Sequence, residues 1–339
     1  MRGLMHDSPL TIDTIFRHAE QHYGDVPIVT NSPQGVTRST YGEWADRTRR
    51  LGGVLDTLGM SADGRVGTFG WNSQRHLELY FAAPCTGRVL HTLNIRLFPE
   101  QLTYIANHAE DEVVFVDRSV FGLFWPLVDT MKTVRHVVIM EDGGDAELPD
   151  DPRISDYETL LAAASPVEFD VRDESLAASM CYTSGTTGNP KGVVYSHRST
   201  VLHTMAALSP NAFGLSIRDV AMPVVPMFHA NAWGIAQAAP AAGSALVFPG
   251  PMMQPEALAT IIVAEGVTGR LVPAGDGPAL ARALREALGD RATVRRWAEA
   301  ARPHVLAAHR IEDEAAALNA LYRELLGQGQ PRLGHAHEP

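Results

Sequence analysis

Short apolar runs rich in valine recur along the first 250 residues, and each is separated from the next by a longer amphipathic stretch. Val89–Leu93, Val113–Val116 and Val134–Met140 are four to seven residues long and mostly apolar, the pattern of strands buried on both faces of a parallel sheet. Between them the period changes to that of a helix. Ile12, Ile15, Phe16 and Ala19 mark one face of a helix over 11–23. Thr40-Tyr-Gly-Glu43 has the spacing of a capping box and opens a second helix that ends near Leu58, just before Gly59. Arg65–Trp71 reads as a strand, His76–Ala83 as an apolar helix, and Pro99–His108 as a helix with proline at a tolerated early position. Strands alternating with helices predict a layered α/β sheet.

The pattern resumes after an acidic, Gly- and Pro-containing stretch, Gly143–Asp156, which reads as a surface loop. Ala178–Thr183 and Val193–Tyr195 are predicted strands, His197–Leu208 a helix, Val220–Pro226 and Ala245–Phe248 further strands, and a helix starts at Pro255. Past Gly266 the style changes to amphipathic helices. Asp276 caps one in which Leu280, Leu284 and Leu288 align, and two more follow around 294–301 and 312–326. The last dozen residues have a composition that predicts disorder. No internal repeat is found.

A net charge of −11 disfavours nucleic acid as a partner, because phosphate contacts need clustered cations. No run is long and apolar enough to predict a transmembrane segment, and the N-terminus lacks a secretory pattern, so a cytoplasmic protein is expected. Cys85 and Cys181 lie in apolar surroundings without metal-ligand spacing and are expected to be buried thiols.

One loop carries chemistry. Tyr182-Thr-Ser-Gly-Thr-Thr-Gly-Asn-Pro-Lys191-Gly192 lies between two predicted strands. Gly185 and Gly188 allow a backbone to approach a polyphosphate closely, and their N–H groups can form an anion-binding concavity. Thr183, Ser184, Thr186 and Thr187 add hydroxyls, one of which is also a candidate metal ligand. Lys191, one of two lysines in a chain whose other cations are arginines, supplies charge. The order of residues departs from the kinase and GTPase P-loop, in which the lysine follows glycine and precedes Ser/Thr. The alternative is a polar hairpin turn with no ligand.

The run YTSGTTGNPKGVVYSH resembles the AMP-binding signature of the adenylate-forming superfamily. The resemblance covers about 5–268 and includes HTLNIRLFPEQLTYI (91–105) and MPVVPMFHANAWG (222–234), the latter most similar to medium- and long-chain fatty-acyl-CoA ligases. It implies an acyl-CoA synthetase N-terminal domain, with a first subdomain over 5–165 and a phosphate-loop and acyl-pocket part over 170–268. The implied substrates are ATP and a fatty acid, with Mg²⁺ as cofactor, CoA as co-substrate and a homodimer as the family's common assembly. By position, Thr183 would hold Mg²⁺ and the loop through Lys191 the phosphates. His229 would lie near the acyl carboxylate, the Ala230 backbone near the nucleotide, and Trp233 would match a gate over the fatty-acid tunnel. Taken alone, His229 and Trp233 read as core residues; beside the phosphate loop they read as site residues. His91, Asn94 and Arg96 are taken as structural or interfacial.

The resemblance also implies what to look for downstream. The family's Tyr-Gly-x-Thr-Glu motif does not occur in 269–339, and no lysine follows Lys191. Instead EGVTGRLVPAGDGPALARALREALGD resembles the C-terminal end of GT-B glycosyltransferases, so 269–328 is expected to be a helical tail, 329–339 disordered, and 265–268 a junction. The readings weighed are therefore a truncated ligase with little turnover, a non-catalytic ATP- or acyl-binding remnant, and a nucleotide-sugar transferase.

Overall fold

The computed structural model describes residues 5, 8–183, 189–255, 257–258 and 261, with isolated positions 290, 292, 295, 296 and 299. The chain divides into two units, Met1–Leu258 and Ala259–Pro339. The expected helical tail, the disordered terminus and the junction at 265–268 lie outside the described residues, apart from those isolated positions.

The first unit holds two sheets among the described residues. The larger has seven strands in the order β7-β6-β5-β3-β4-β8-β9. They are β3 (Arg65–Phe69), β4 (Val89–Thr92), β5 (Asp111–Asp117), β6 (His136–Met140), β7 (Ile154–Asp156), β8 (Ala177–Thr183) and β9 (Lys191–Ser196). All pairings are parallel except β8 with β9, the antiparallel pair at one edge. β8 pairs directly with β4, so the sheet runs unbroken across the expected subdomain boundary at 165–170. The smaller sheet has the order β10-β11-β1-β2, with β1 (Pro27–Ser32), β2 (Gly35–Thr40), β10 (Val220–Ala221) and β11 (Ala245–Phe248).

The apolar strand runs are explained by burial on both faces. Along β5, Val113 and Phe115 enter one core while Val114 and Val116 enter the other. The first core also takes residues of α1 (Ile12–His22), α2 (Tyr41–Thr57), α3 (Gln74–Cys85), α6 (Tyr157–Ala163), α7 (His197–Ala207) and α8 (Ile235–Ala242). The second is covered by α4 (Pro99–Ala109) and α5 (Phe121–Phe124). The capping box at α2 forms as the sequence predicts: Glu43 N–H donates to Thr40 Oγ1, and Thr40 N–H donates to Glu43 Oε2. Both cysteines are buried and unpaired.

A buried ionic network joins three helices of this unit. Arg47 donates to both oxygens of Glu78, which is fully buried, and to both of Glu158. Gln74 and Tyr157 complete the donors on Glu78. Arg47 is held well above its ordinary range: burial works against its charge, but its hydrogen bonds to Glu158 and the charge of the nearby Glu78 outweigh it.

Candidate active site

The site is built where the carboxyl ends of β3, β4 and β8 meet the segment 222–234. In open parallel sheets this end of the strands is where ligands bind. β8 ends at Thr183 and β9 begins at Lys191, and the two residues are cross-strand partners, both exposed. The hairpin therefore brings the predicted hydroxyl and the predicted ammonium together at its mouth. Ser184, Gly185, Thr186, Thr187 and Gly188 lie outside the described residues.

The strand predicted over 220–226 is shorter than expected: β10 is only two residues long, and the segment runs on to the helix α8, which starts at Ile235. Pro223 and Pro226 lack the N–H that a strand ladder needs. The carbonyls of Pro223 and Val225 instead accept from Asn72 Nδ2 at 2.7 and 2.9 Å, and Met227 N–H donates to Asn72 Oδ1 at 2.7 Å. Tyr80 adds a hydroxyl hydrogen bond to the carbonyl of Met227.

Ala230, Asn231, Ala232 and Trp233 then form a left-handed turn, with φ of 44, 51, 49 and 54°. Non-glycine residues rarely enter this region, because Cβ crowds the following carbonyl. The turn is held from several sides. The Asn231 amide donates to Ser179 Oγ at 3.1 Å, and its oxygen accepts from Tyr80 and Thr92. The Ala230 backbone lies beside the thiol of Cys181, two residues before Thr183, and acts to lower its pKa against the larger effect of burial. His203 Nε2 donates to the Trp233 carbonyl at 3.0 Å, and a Cβ on Gly234 would lie only 2.6 Å from the His203 ring. His229 and Trp233, the second at 56% exposure, project from this turn and are not core residues.

Sequence reasoning selected Thr183, Lys191, His229, Ala230 and Trp233 but missed Asn72, Tyr80 and Asn231, which fix their positions. Asn72 and Tyr80 come from 150 residues upstream, and no local pattern marks them. Asn231 stands inside the quoted motif, where a short amide flanked by alanines is itself a signal of a left-handed position. Of the family-like residues near 91–96, His91 is buried on β4 with Nδ1 at 2.8 and 2.9 Å from the two oxygens of Asp111, and Arg96 lies over the Phe228 ring at 5.9 Å.

No group of three or more His, Cys, Asp or Glu suited to a metal occurs among the described residues. Thr183 offers a single hydroxyl. That fits Mg²⁺, which commonly keeps several waters and takes its remaining ligands from substrate phosphates.

Comparison with known proteins agrees with this arrangement. Residues 15–307 match the family model described as AMP-binding enzyme, which extends past the expected junction at 265–268. The chain is 46% identical over 270 residues to the 3-methylmercaptopropionyl-CoA ligase of Ruegeria lacuscaerulensis, covering 79% of this chain and 50% of that one. It is 42% identical over 271 residues to the medium-chain-fatty-acid–CoA ligase of Ectopseudomonas oleovorans, again covering 79% and 50%. The chain thus spans about half the length of the curated relatives it matches. A solved long-chain-fatty-acid–CoA ligase from Archaeoglobus fulgidus shares the fold with a TM-score of 0.65 at 22% identity, covering 86% of this chain and 56% of that one. The layered α/β architecture is that of the N-terminal part of acyl-CoA ligases, and the chain belongs to the AMP-binding enzyme family.

Proposed function

We propose that this chain carries the phosphate and acyl-carboxylate face of a fatty-acyl-CoA ligase site. In that reaction a carboxylate oxygen attacks the α-phosphorus of ATP, the bond to pyrophosphate breaks, and an acyl-adenylate forms. The thiol of CoA then attacks the acyl carbon and AMP leaves. The observation supporting the reading is the pairing of Thr183 with Lys191 at the mouth of the β8–β9 hairpin, beside a turn that is hydrogen-bonded to Ser179 of β8 and presents His229. Lys191 and the loop hydroxyls would neutralise the departing pyrophosphate, which is where charge grows in the transition state. His229 would face the carboxylate, Ala230 the nucleotide, and Trp233 the entry to the acyl site. Mg²⁺, when bound through Thr183 and the phosphates, supplies further charge neutralisation. The names of the relatives point to carboxylic acids from a methylthio-substituted propionate to medium-chain fatty acids as substrates.

The proposal includes low turnover by these 339 residues assayed alone, because they contain no Tyr-Gly-x-Thr-Glu run and no lysine after Lys191. Loss of transition-state donors costs about two to three powers of ten in rate for each group removed. In the second reading, the chain binds ATP or an acyl group without chemistry. The glycosyltransferase likeness of 269–328 rests on a short run without sugar-nucleotide residues, and we assign it no transferase activity. Cytoplasmic residence, an expectation from the sequence, and a homodimer, implied by the family resemblance, belong to the same proposal.

The test is MgATP binding by the purified 339-residue chain, together with pyrophosphate exchange over a panel of carboxylic acids. Binding is expected, and Lys191→Ala or Thr183→Ala should weaken it at least about tenfold, the worth of a hydrogen bond to a charged group. A chain that does not bind MgATP would refute the phosphate reading, and steady acyl-CoA formation would refute the expectation of low turnover.

A further inference from the structure

β9 is the exposed edge of the seven-stranded sheet, open to solvent from Lys191 through Val194. Among the described residues its ladder connects it only to β8, so the position of Lys191 depends on what holds that pair of strands to the rest of the unit. One side chain stands out. Tyr182, adjacent to Thr183, turns its ring under Gly192, adjacent to Lys191. A Cβ on Gly192 would meet Tyr182 Cζ at 3.1 Å, so the absence of a side chain there lets the ring pass beneath β9.

The far end of Tyr182 is anchored outside the hairpin. Its hydroxyl lies 2.6 Å from Nδ1 of His108, in the last turn of α4. His108 is itself stacked on Tyr104 of the same helix, with ring centroids 5.4 Å apart. Behind the tyrosine, His91 places its ring 5.2 Å away, and His91 is braced on the fully buried Asp111. Burial, and after it the charge of Asp111, pushes the Tyr182 phenol up to about 12, so it keeps its proton and can donate to the His108 nitrogen in the tautomer that leaves Nδ1 bare.

Resting on the nucleotide reading above, we infer that Tyr182 is a positioning residue for the phosphate site: by packing under Gly192 and bonding His108, it fixes the two strand ends that carry Thr183 and Lys191 relative to α4. The pair acts on ligand binding without touching the ligand. Removing its hydrogen bond frees the hairpin mouth, and the nucleotide must then pay for ordering it.

The experiment measures MgATP affinity of the full chain by titration calorimetry, with unfolding midpoints recorded in parallel. Tyr182→Phe removes only the hydroxyl, and His108→Ala removes its acceptor. Each is expected to weaken MgATP about five- to tenfold, the scale of one net hydrogen bond. The double variant should be no weaker than either single one, because both delete the same bond. His108→Asn, whose Oδ1 falls where Nδ1 stood, should restore affinity. A residue that merely stabilised the fold would shift the unfolding midpoint without this pattern of non-additivity and rescue. If Lys191→Ala weakens MgATP while Tyr182→Phe and His108→Ala do not, the inference is overturned and the nucleotide reading stands. If the wild-type chain does not bind MgATP, the nucleotide reading fails and takes the inference with it.

Discussion

His76 sets a pH dependence of stability that can be worked out from its surroundings. It lies near the start of α3, fully buried. Its Nδ1 is 2.9 Å from the carbonyl of Trp71, which can only accept, so that nitrogen carries the proton. Nε2, 3.0 Å from Thr68 Oγ1, is then free to accept from the hydroxyl. Both ring nitrogens are satisfied in the neutral form. Burial lowers the pKa from 6.5 to about 4, against a smaller opposing effect of the Trp71 carbonyl. Between those two values the unfolded chain binds a proton that the native chain does not. Stability is therefore fully present above pH 6.5 and is lost as pH falls toward 4. At about 1.4 kcal/mol per pH unit, the loss attributable to this one group is about 3 kcal/mol. The assay is equilibrium urea unfolding at a series of pH values from 7 to 4, for the wild type and His76→Gln. Other groups with lowered pKa values, such as Glu158 and Glu112, titrate in both proteins and cancel in the difference. The difference should grow by about 3 kcal/mol across the window, the wild type losing more. Parallel stability curves would show that His76 is not desolvated in the fold and would refute the reasoning.

Two further perturbations test the packing that supports the site. Arg47→Met leaves the Glu78 carboxylate buried without its guanidinium partner and should cost about 3–5 kcal/mol in urea unfolding, whereas Arg50→Met, at a pair that is partly exposed on both sides, should cost under about 1 kcal/mol. Equal losses would refute the distinction. Gly250, at φ of 57°, would bring a Cβ to 2.2 Å from the Asn31 carbonyl, so Gly250→Ala should lower stability by about 2–4 kcal/mol, while Gly122→Ala, with no atom within 4 Å, should be neutral or slightly stabilising by thermal unfolding.

What the sequence discloses is what local period and composition encode. The runs around Val113 and Val137 read correctly because both faces of those strands are buried, and the capping box at Thr40 read correctly because its two bonds are local. The hairpin of β1 and β2 was not read. Its strand Gly35–Thr40 is exposed or half-buried along its whole length, so it carries no apolar alternation, although Ser-Pro-Gln-Gly over 32–35 is a turn signal. β7 was hidden as three residues at the end of an acidic loop. In the site, the β8–β9 hairpin was legible because a run of glycines, hydroxyls and a lysine lies between two apolar strands. The turn at 230–233 was not, because its conformation depends on Ser179, Thr92, Tyr80 and His203, which reach it from four other elements or their ends.

That dependence bears on how the site is able to exist. Four consecutive non-glycine residues in the left-handed region cost about 1–2 kcal/mol each, so the turn is unfavourable by several kcal/mol considered alone. Such backbone persists only where its surroundings over-determine it. Here the compensation comes from partners already fixed for other reasons: Ser179 and Thr92 on interior strands, and Tyr80 on a helix buried at every residue but Arg75. A right-handed turn would release the strain but would redirect the backbone of Ala230 away from Cys181 and break the Asn231 bonds. The strained form is therefore the one that couples the His229 segment to β8, the strand ending at Thr183. The same hydrogen bonds that offset the strain also bring the carboxylate side and the phosphate side of the proposed site into one frame.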